Sequence, residues 1–149
     1  MPVATADPPA VTAPALRRAL IAGARRVIAA RDDLNRINVF PVADGDTGSN
    51  LASTLGSVLQ GALSRRSRHI GELLVGIGND AIDGARGNSG AIMAQFLVGL
   101  AEQARNAPVL DAATLALAVR RGADSARAAL AQPVEGTILS VISAFADAL

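Results

Sequence analysis

Hydrophobic positions recur three and four residues apart along most of this chain. After Pro14, Leu16, Leu20, Ile21, Ala24, Val27 and Ile28 form one apolar stripe. Proline can open a helix there because its missing N–H is not needed. Arg17, Arg18, Arg25 and Arg26 lie mostly off that stripe, and the spacing predicts a helix ending near Arg31. Asp32 to Asn38 reads as a connection or a short extra turn, and Val39 to Asn50 as an ordered loop. A second stripe follows in Leu51, Leu55, Val58, Leu59 and Leu63. Ser67 is placed to cap a third helix, with Ile70, Leu73, Leu74, Ile77, Ala81 and Ile82 on one face. A fourth runs from about Ser89 to Ala104 and carries Ile92, Met93, Phe96, Leu97 and Leu100. Asp111 is the expected cap of a fifth, with Leu115, Ala118, Val119 and Ala126 inward, broken at Gln132 and Pro133. The last starts near Glu135 and includes Ile138, Leu139, Val141, Ile142 and Phe145. No segment alternates as a strand does. The expectation is an all-α domain over 14–149, with about six helices, two glycine-rich loops and no internal repeat.

Composition sharpens this picture. Half of the 149 residues are hydrophobic, yet only 2% are aromatic. Alanine and the aliphatic residues must therefore fill the core, which favours closely packed helices. Residues Met1 to Ala13, rich in Pro and Ala, read as a disordered lead-in without the basic start or apolar run of a signal peptide. No segment reaches the ~20 apolar residues that span a bilayer. The expectation is a soluble, cytoplasmic protein.

The net charge is +1, so no global field argues for nucleic acid. The lack of Trp and Tyr argues against base stacking. All fourteen basic residues are arginine. Without lysine, an intact P-loop or protein-kinase site is excluded. Without cysteine, so are disulfides, thiolate zinc sites and cysteine nucleophiles. His69, beside Arg65, Arg66 and Arg68, reads as a solvated surface residue.

Candidate chemistry sits in three polar, glycine-containing stretches. PVADGDTGSN, from Pro41 to Asn50, places Asp44 and Asp46 around one glycine and continues into Thr47, Gly48, Ser49 and Asn50. Turn residues alone explain an isolated Asp-Gly pair. Acids two residues apart repel, however, and a divalent cation reverses that balance, since carboxylate oxygens are the hard ligands Mg²⁺ prefers. A calcium-binding EF-hand fails because its fifth, sixth and twelfth positions would be Gly48, Ser49 and Leu55. A haloacid-dehalogenase pattern fails because Thr47 comes one residue early and no parallel sheet is evident. The loop also runs into a helix start, where free N–H groups suit phosphate. GARGNSG, from Gly84 to Gly90, repeats that logic, with Asn88 and Ser89 at another helix start. Arg86 is either a phosphate clamp or an ion-pair partner. PVEGTILS, from Pro133 to Ser140, offers Thr137. VGIGNDA, from Val75 to Ala81, matches a loose dinucleotide-binding pattern but fits a helix face with no strand before it.

Taken in order, NVFPVADGDTGSN, GARGNSGAIMAQF and PVEGTILSV are similar to the N-terminal kinase domain of bacterial fatty acid kinase. That domain lies within the Dak2, or dihydroxyacetone-kinase L-subunit-like, superfamily. The resemblance covers most of Leu16 to Leu149. It implies an antiparallel helical barrel or bundle with ATP or ADP at one mouth and two Mg²⁺ ions between protein acids and phosphates. It implies Asp44 and Asp46 as magnesium ligands, and Asn38 at roughly the place of a third acid in dihydroxyacetone kinases. It further implies Thr47, Gly48, Ser49 and Asn50 around the phosphates, with Asn88, Ser89 and Thr137 also at the nucleotide. Ala43 before Asp44, Thr47 in place of a histidine, and the Asn38-Val39-Phe40-Pro41-Val42 run favour the fatty-acid-kinase branch. In that branch ATP phosphorylates a fatty acid carboxylate presented by a DegV-like binding protein, giving an acyl phosphate. The acceptor is already an anion, so no general base is expected. Two alternatives are a dihydroxyacetone-kinase-type subunit and a helical module that binds nucleotide or a partner without turnover. The family domain continues beyond the third motif, so the resemblance implies a truncated chain lacking its C-terminal helices. It leaves open a homodimer formed through the missing regions.

Overall fold

Short polar connections between amphipathic segments make the chain reverse repeatedly, and the computed structural model, which describes residues 9–149, is an antiparallel helical bundle. Helix α1 (Ala13–Ala29) starts at Thr12, whose side chain accepts from the Ala15 N–H at 3.4 Å. Helix α2 (Arg31–Ile37) follows almost without a break. It resolves the connection expected after Arg31 into two turns of helix. Helices α3 (Thr47–Ser64), α4 (Ile70–Gly84), α5 (Gly87–Ala104), α6 (Ala112–Ala128) and α7 (Ile138–Asp147) complete the bundle.

Several boundaries differ from the expectations. Helix α3 begins at Thr47, so Thr47 to Asn50 form its first turn rather than the end of a loop. His69, not Ser67, caps α4: its ring nitrogen accepts from the Glu72 N–H at 3.3 Å. The Ser67 hydroxyl instead accepts from the His69 N–H at 3.1 Å and so braces the cap. Helix α7 starts at Ile138, with Thr137 as its cap. Asp111 caps α6 as expected, accepting from the Thr114 N–H at 2.7 Å.

An unexpected strand pair joins β1 (Ala10–Val11) to β2 (Leu110–Asp111), antiparallel, with Val11 opposite Leu110. Two residues are too few to show alternation. The pair ties the start of α1 to the connection before α6, and Leu110 is fully buried. Of the lead-in expected over Met1 to Ala13, residues 1–8 lie outside the described residues, whereas Ala10 to Ala13 are structured and Ala13 is buried.

The core centres on α4 and α5. Ile70, Leu73, Leu74 and Ile77 are almost completely buried and share one cluster with Ile92, Phe96 and Leu97 of α5. Helix α5 packs on α3, α4 and α6 and touches α7. Alanine and glycine line the seams. A Cβ on Gly71 would collide with the Arg105 carbonyl, and one on Gly122 would lie 2.7 Å from the Phe96 carbonyl oxygen. Close approach of this kind replaces the bulk that aromatic residues would supply. Leu63 and Ile82, assigned to inward stripes from their spacing, are about two-fifths exposed at the helix ends. Among the described residues α1 and α7 share no substantial interface, so the helices form an open array. No helix of the described residues is long and apolar enough to cross a membrane.

Candidate functional site

The three motifs precede the three helices α3, α5 and α7, and the antiparallel arrangement brings those helix starts to one end of the bundle. Their backbone has a shared feature. Among the described residues, positive φ occurs at Gly45 (64°), Gly87 (61°) and Gly136 (81°), one in each motif. These are conformations an L-residue rarely adopts.

The first motif is built from α2 upward. At the C-cap of α2, the Asn38 Oδ1 accepts from the N–H groups of both Asp46 and Thr47, each at 3.0 Å. Its Nδ2 donates to the Val42 carbonyl at 3.1 Å. One turn earlier, the Asn35 Oδ1 accepts from the Ser49 N–H at 3.0 Å, and its Nδ2 donates to the Ser49 Oγ at 2.9 Å. Gly48 allows this approach, since a Cβ there would collide with the Arg31 carbonyl. Two of the N–H groups expected to be free for phosphate at the start of α3 are therefore already used by asparagine side chains.

Asp44 and Asp46 are exposed, and neither carboxylate has a hydrogen-bond or ion-pair partner among the described residues. The six ion pairs found there use other acids, so repulsion between these two is not relieved by arginine. Asn38, expected at the place of a third ligand, stands at the base of the acid-bearing loop. A carbonyl oxygen has two lone pairs, and both are engaged by backbone N–H groups, so Asn38 shapes the loop that carries the acids. No group of three or more His, Cys, Asp or Glu residues that could hold a metal occurs among the described residues.

The second motif is joined to the first by three contacts. The Asn50 side chain lies against Gly87, in the space a Cβ would fill. The Ser89 Oγ is 3.4 Å from the Thr47 carbonyl, within reach to donate to it. Thr54, fully buried, donates to the Asn50 carbonyl at 2.8 Å and accepts from the Arg86 N–H at 3.1 Å. The start of α5 is more open than that of α3. Arg86 at its N-cap offers no side-chain hydrogen bond, and the Gly87, Asn88 and Ser89 N–H groups have no acceptor among the described residues. Asn88 and Arg86 are exposed, and Arg86 joins no ion pair there.

In the third motif, the Thr137 Oγ1 donates to the Val134 carbonyl at 2.7 Å and accepts from the Leu139 N–H at 3.3 Å. Thr137 is thus occupied as a helix cap. Glu135 receives hydrogen bonds from Arg127 (2.8 Å) and Ser140 (2.7 Å), and the Arg127 bond, followed by the Ser140 bond, holds its carboxyl below the usual range. The Phe40 ring of the first motif comes within 3.8 Å of where a Gly136 Cβ would stand, so the first and third motifs meet. Two grooves, of about 530 and 420 Å³, run along α4 beside the Arg65–Asp80 ion pair; neither contains Asp44, Asp46, Asn88 or Thr137.

The DAK2 domain family matches residues 41–149, from the first motif to the last residue. The chain belongs to the DAK2 domain family. This family includes nucleotide-binding kinases. The DAK2 chain is 37% identical over 129 residues to an uncharacterized protein of Staphylococcus saprophyticus, a match covering 87% of this chain and 23% of that protein. An uncharacterized protein of Staphylococcus haemolyticus is 38% identical over 122 residues, covering 82% and 22%. One of Staphylococcus aureus is 36% identical over 129 residues, covering 87% and 24%. The chain spans under a quarter of the length of these curated relatives.

Sequence reasoning did not single out Asn35, Thr54 or Phe40 as motif-bracing residues. Thr54 left a signal, as a hydroxyl on the same helix face as Leu51, Leu55 and Val58. Asn35 left none, because its role depends on how α2 meets α3.

Proposed function

We propose that this DAK2 domain is the ATP- and Mg²⁺-dependent phosphotransferase part of a fatty-acid-kinase-type enzyme. On this reading a fatty acid carboxylate, presented by a DegV-like binding protein, is converted to an acyl phosphate. The observation that carries the reading is the meeting of three glycine-turned motifs at one end of the bundle, with two exposed carboxylates, unpaired among the described residues, beside asparagine-braced backbone.

The residues present fit a magnesium–phosphate complex. Mg²⁺ is held through one or two carboxylates plus phosphate oxygens and water rather than by an all-protein cage, which agrees with a site offering Asp44 and Asp46 alone. When bound, the metal supplies neutralisation of phosphate charge. Asn38 holds the acid-bearing loop. The open N–H groups at the start of α5, with Asn88 and Arg86, offer donors to phosphate, while Thr47, Ser49 and Asn50 supply polar groups beside the acids. Gly48 and Thr137 act through packing and capping. A carboxylate acceptor is ionised at neutral pH, so the site requires no general base, in keeping with the absence of His, Cys and Lys from the three motifs. The Asn38 to Val42 run and Thr47 support the fatty-acid branch over a dihydroxyacetone kinase.

The test is to incubate the protein with ATP, Mg²⁺ and either a fatty-acid-loaded DegV-like protein or dihydroxyacetone, trapping acyl phosphate with hydroxylamine. Hydroxamate formed only with the loaded partner is expected. Phosphorylated dihydroxyacetone, or nucleotide binding with neither product, would instead favour the other two readings.

A further inference from the structure

The two hydrogen bonds between Asn35 and Ser49 fix more than the position of α2. The Ser49 backbone N–H can only donate, so the Asn35 atom facing it at 3.0 Å must be the oxygen. The other end of the amide, 2.9 Å from the Ser49 Oγ, is then the NH₂ group, and the hydroxyl oxygen must accept. A serine hydroxyl has one proton, which therefore cannot point back at Asn35. Ser49 is exposed, and its hydroxyl donates to no acceptor among the described residues.

We infer that Asn35 is a positioning residue that sets the Ser49 hydroxyl as an outward hydrogen-bond donor, suited to an anionic oxygen ligand such as a nucleotide phosphate. This inference rests on the proposed nucleotide site and adds a residue from outside the three motifs. Replacing Asn35 with aspartate tests the orientation with little change in shape. A carboxylate still accepts from the Ser49 N–H, so the grip on α3 survives. It also accepts the Ser49 hydroxyl proton, turning that proton away from the ligand. The added negative charge opposes phosphate as well, and a second background separates the two effects.

Binding of ADP in excess Mg²⁺ is measured by calorimetry for the wild-type chain, Asn35→Asp, Ser49→Ala and the double variant, with a thermal melt of each to confirm folding. The proposal expects Asn35→Asp to weaken binding on the order of tenfold, the loss of one charge-assisted hydrogen bond. In the Ser49→Ala background the same change should weaken it only about twofold, because no hydroxyl remains to reorient. Ser49→Thr, which keeps a hydroxyl, should restore the full sensitivity to Asn35→Asp. Equal weakening in the serine and alanine backgrounds overturns the orientation while leaving the nucleotide site standing. Failure of the folded wild-type chain to bind ADP overturns both.

Discussion

The Thr54 hydroxyl donates to the Asn50 carbonyl and accepts from the Arg86 N–H within a fully buried environment. Thr54→Val keeps the shape but leaves the Arg86 N–H without that acceptor. The expected loss is about 1–3 kcal/mol of unfolding free energy, read from a urea transition, with Thr54→Ser recovering part of it. Asp111 makes a pH-dependent prediction. Its hydrogen bond from the Thr114 N–H is the largest cause holding its carboxyl below the usual range. A carboxylate with a depressed folded-state pKa contributes stability above its unfolded pKa of about 3.9, and loses it as pH falls through the folded value. Asp111→Asn keeps a neutral cap. Thermal melts should therefore show the wild type losing its advantage over this variant from about pH 4 downward. Glu135, lowered by Arg127 first, adds to stability with the same sign.

Among the elements, helix identity was legible because apolar spacing survives alanine-rich composition. Leu73, Leu74 and Ile77 are buried as their spacing implied. The starts of α3, α4 and α7 were less legible, because each is fixed by a particular capping contact. At α3, Asn38 at the C-cap of α2 and Asn35 within α2 take up the Thr47 and Ser49 N–H groups; at α4, a histidine ring does the capping. The strand pair was illegible because its two residues per strand depend on a partner about a hundred positions away. Glycines divide into two kinds by their surroundings. Gly23 and Gly56 are helical with nothing within 4 Å of a built Cβ. Changing either to alanine should stabilise by about 0.5–1 kcal/mol, since alanine lowers the entropy lost on folding. Gly71→Ala should destabilise, because contact with the Arg105 carbonyl outweighs the same propensity gain. Chemical denaturation of the three variants checks both signs.

On the scale of the whole molecule, the motifs begin at Pro41, Gly84 and Pro133, far apart in the chain, but start helices that point the same way. The sequence carried the identity of the motifs; their convergence required the reversals between helices, seen in Asn50 against Gly87 and Phe40 against Gly136. Of the residues expected at the ligand, Asp44, Asp46 and Asn88 have side chains without a hydrogen-bond partner among the described residues, Ser49 has an unengaged hydroxyl proton there, and Asn38, Gly48 and Thr137 lie against backbone. On the proposed function, Asp44 and Asp46 make nucleotide binding depend on magnesium. Calorimetric titration of the folded chain with ATP, with and without Mg²⁺, compared with Asp44→Ala/Asp46→Ala, tests it most directly. Binding is expected for the wild type only when Mg²⁺ is present, and not at all for the double variant. Undiminished Mg²⁺-dependent binding in the folded double variant would contradict it.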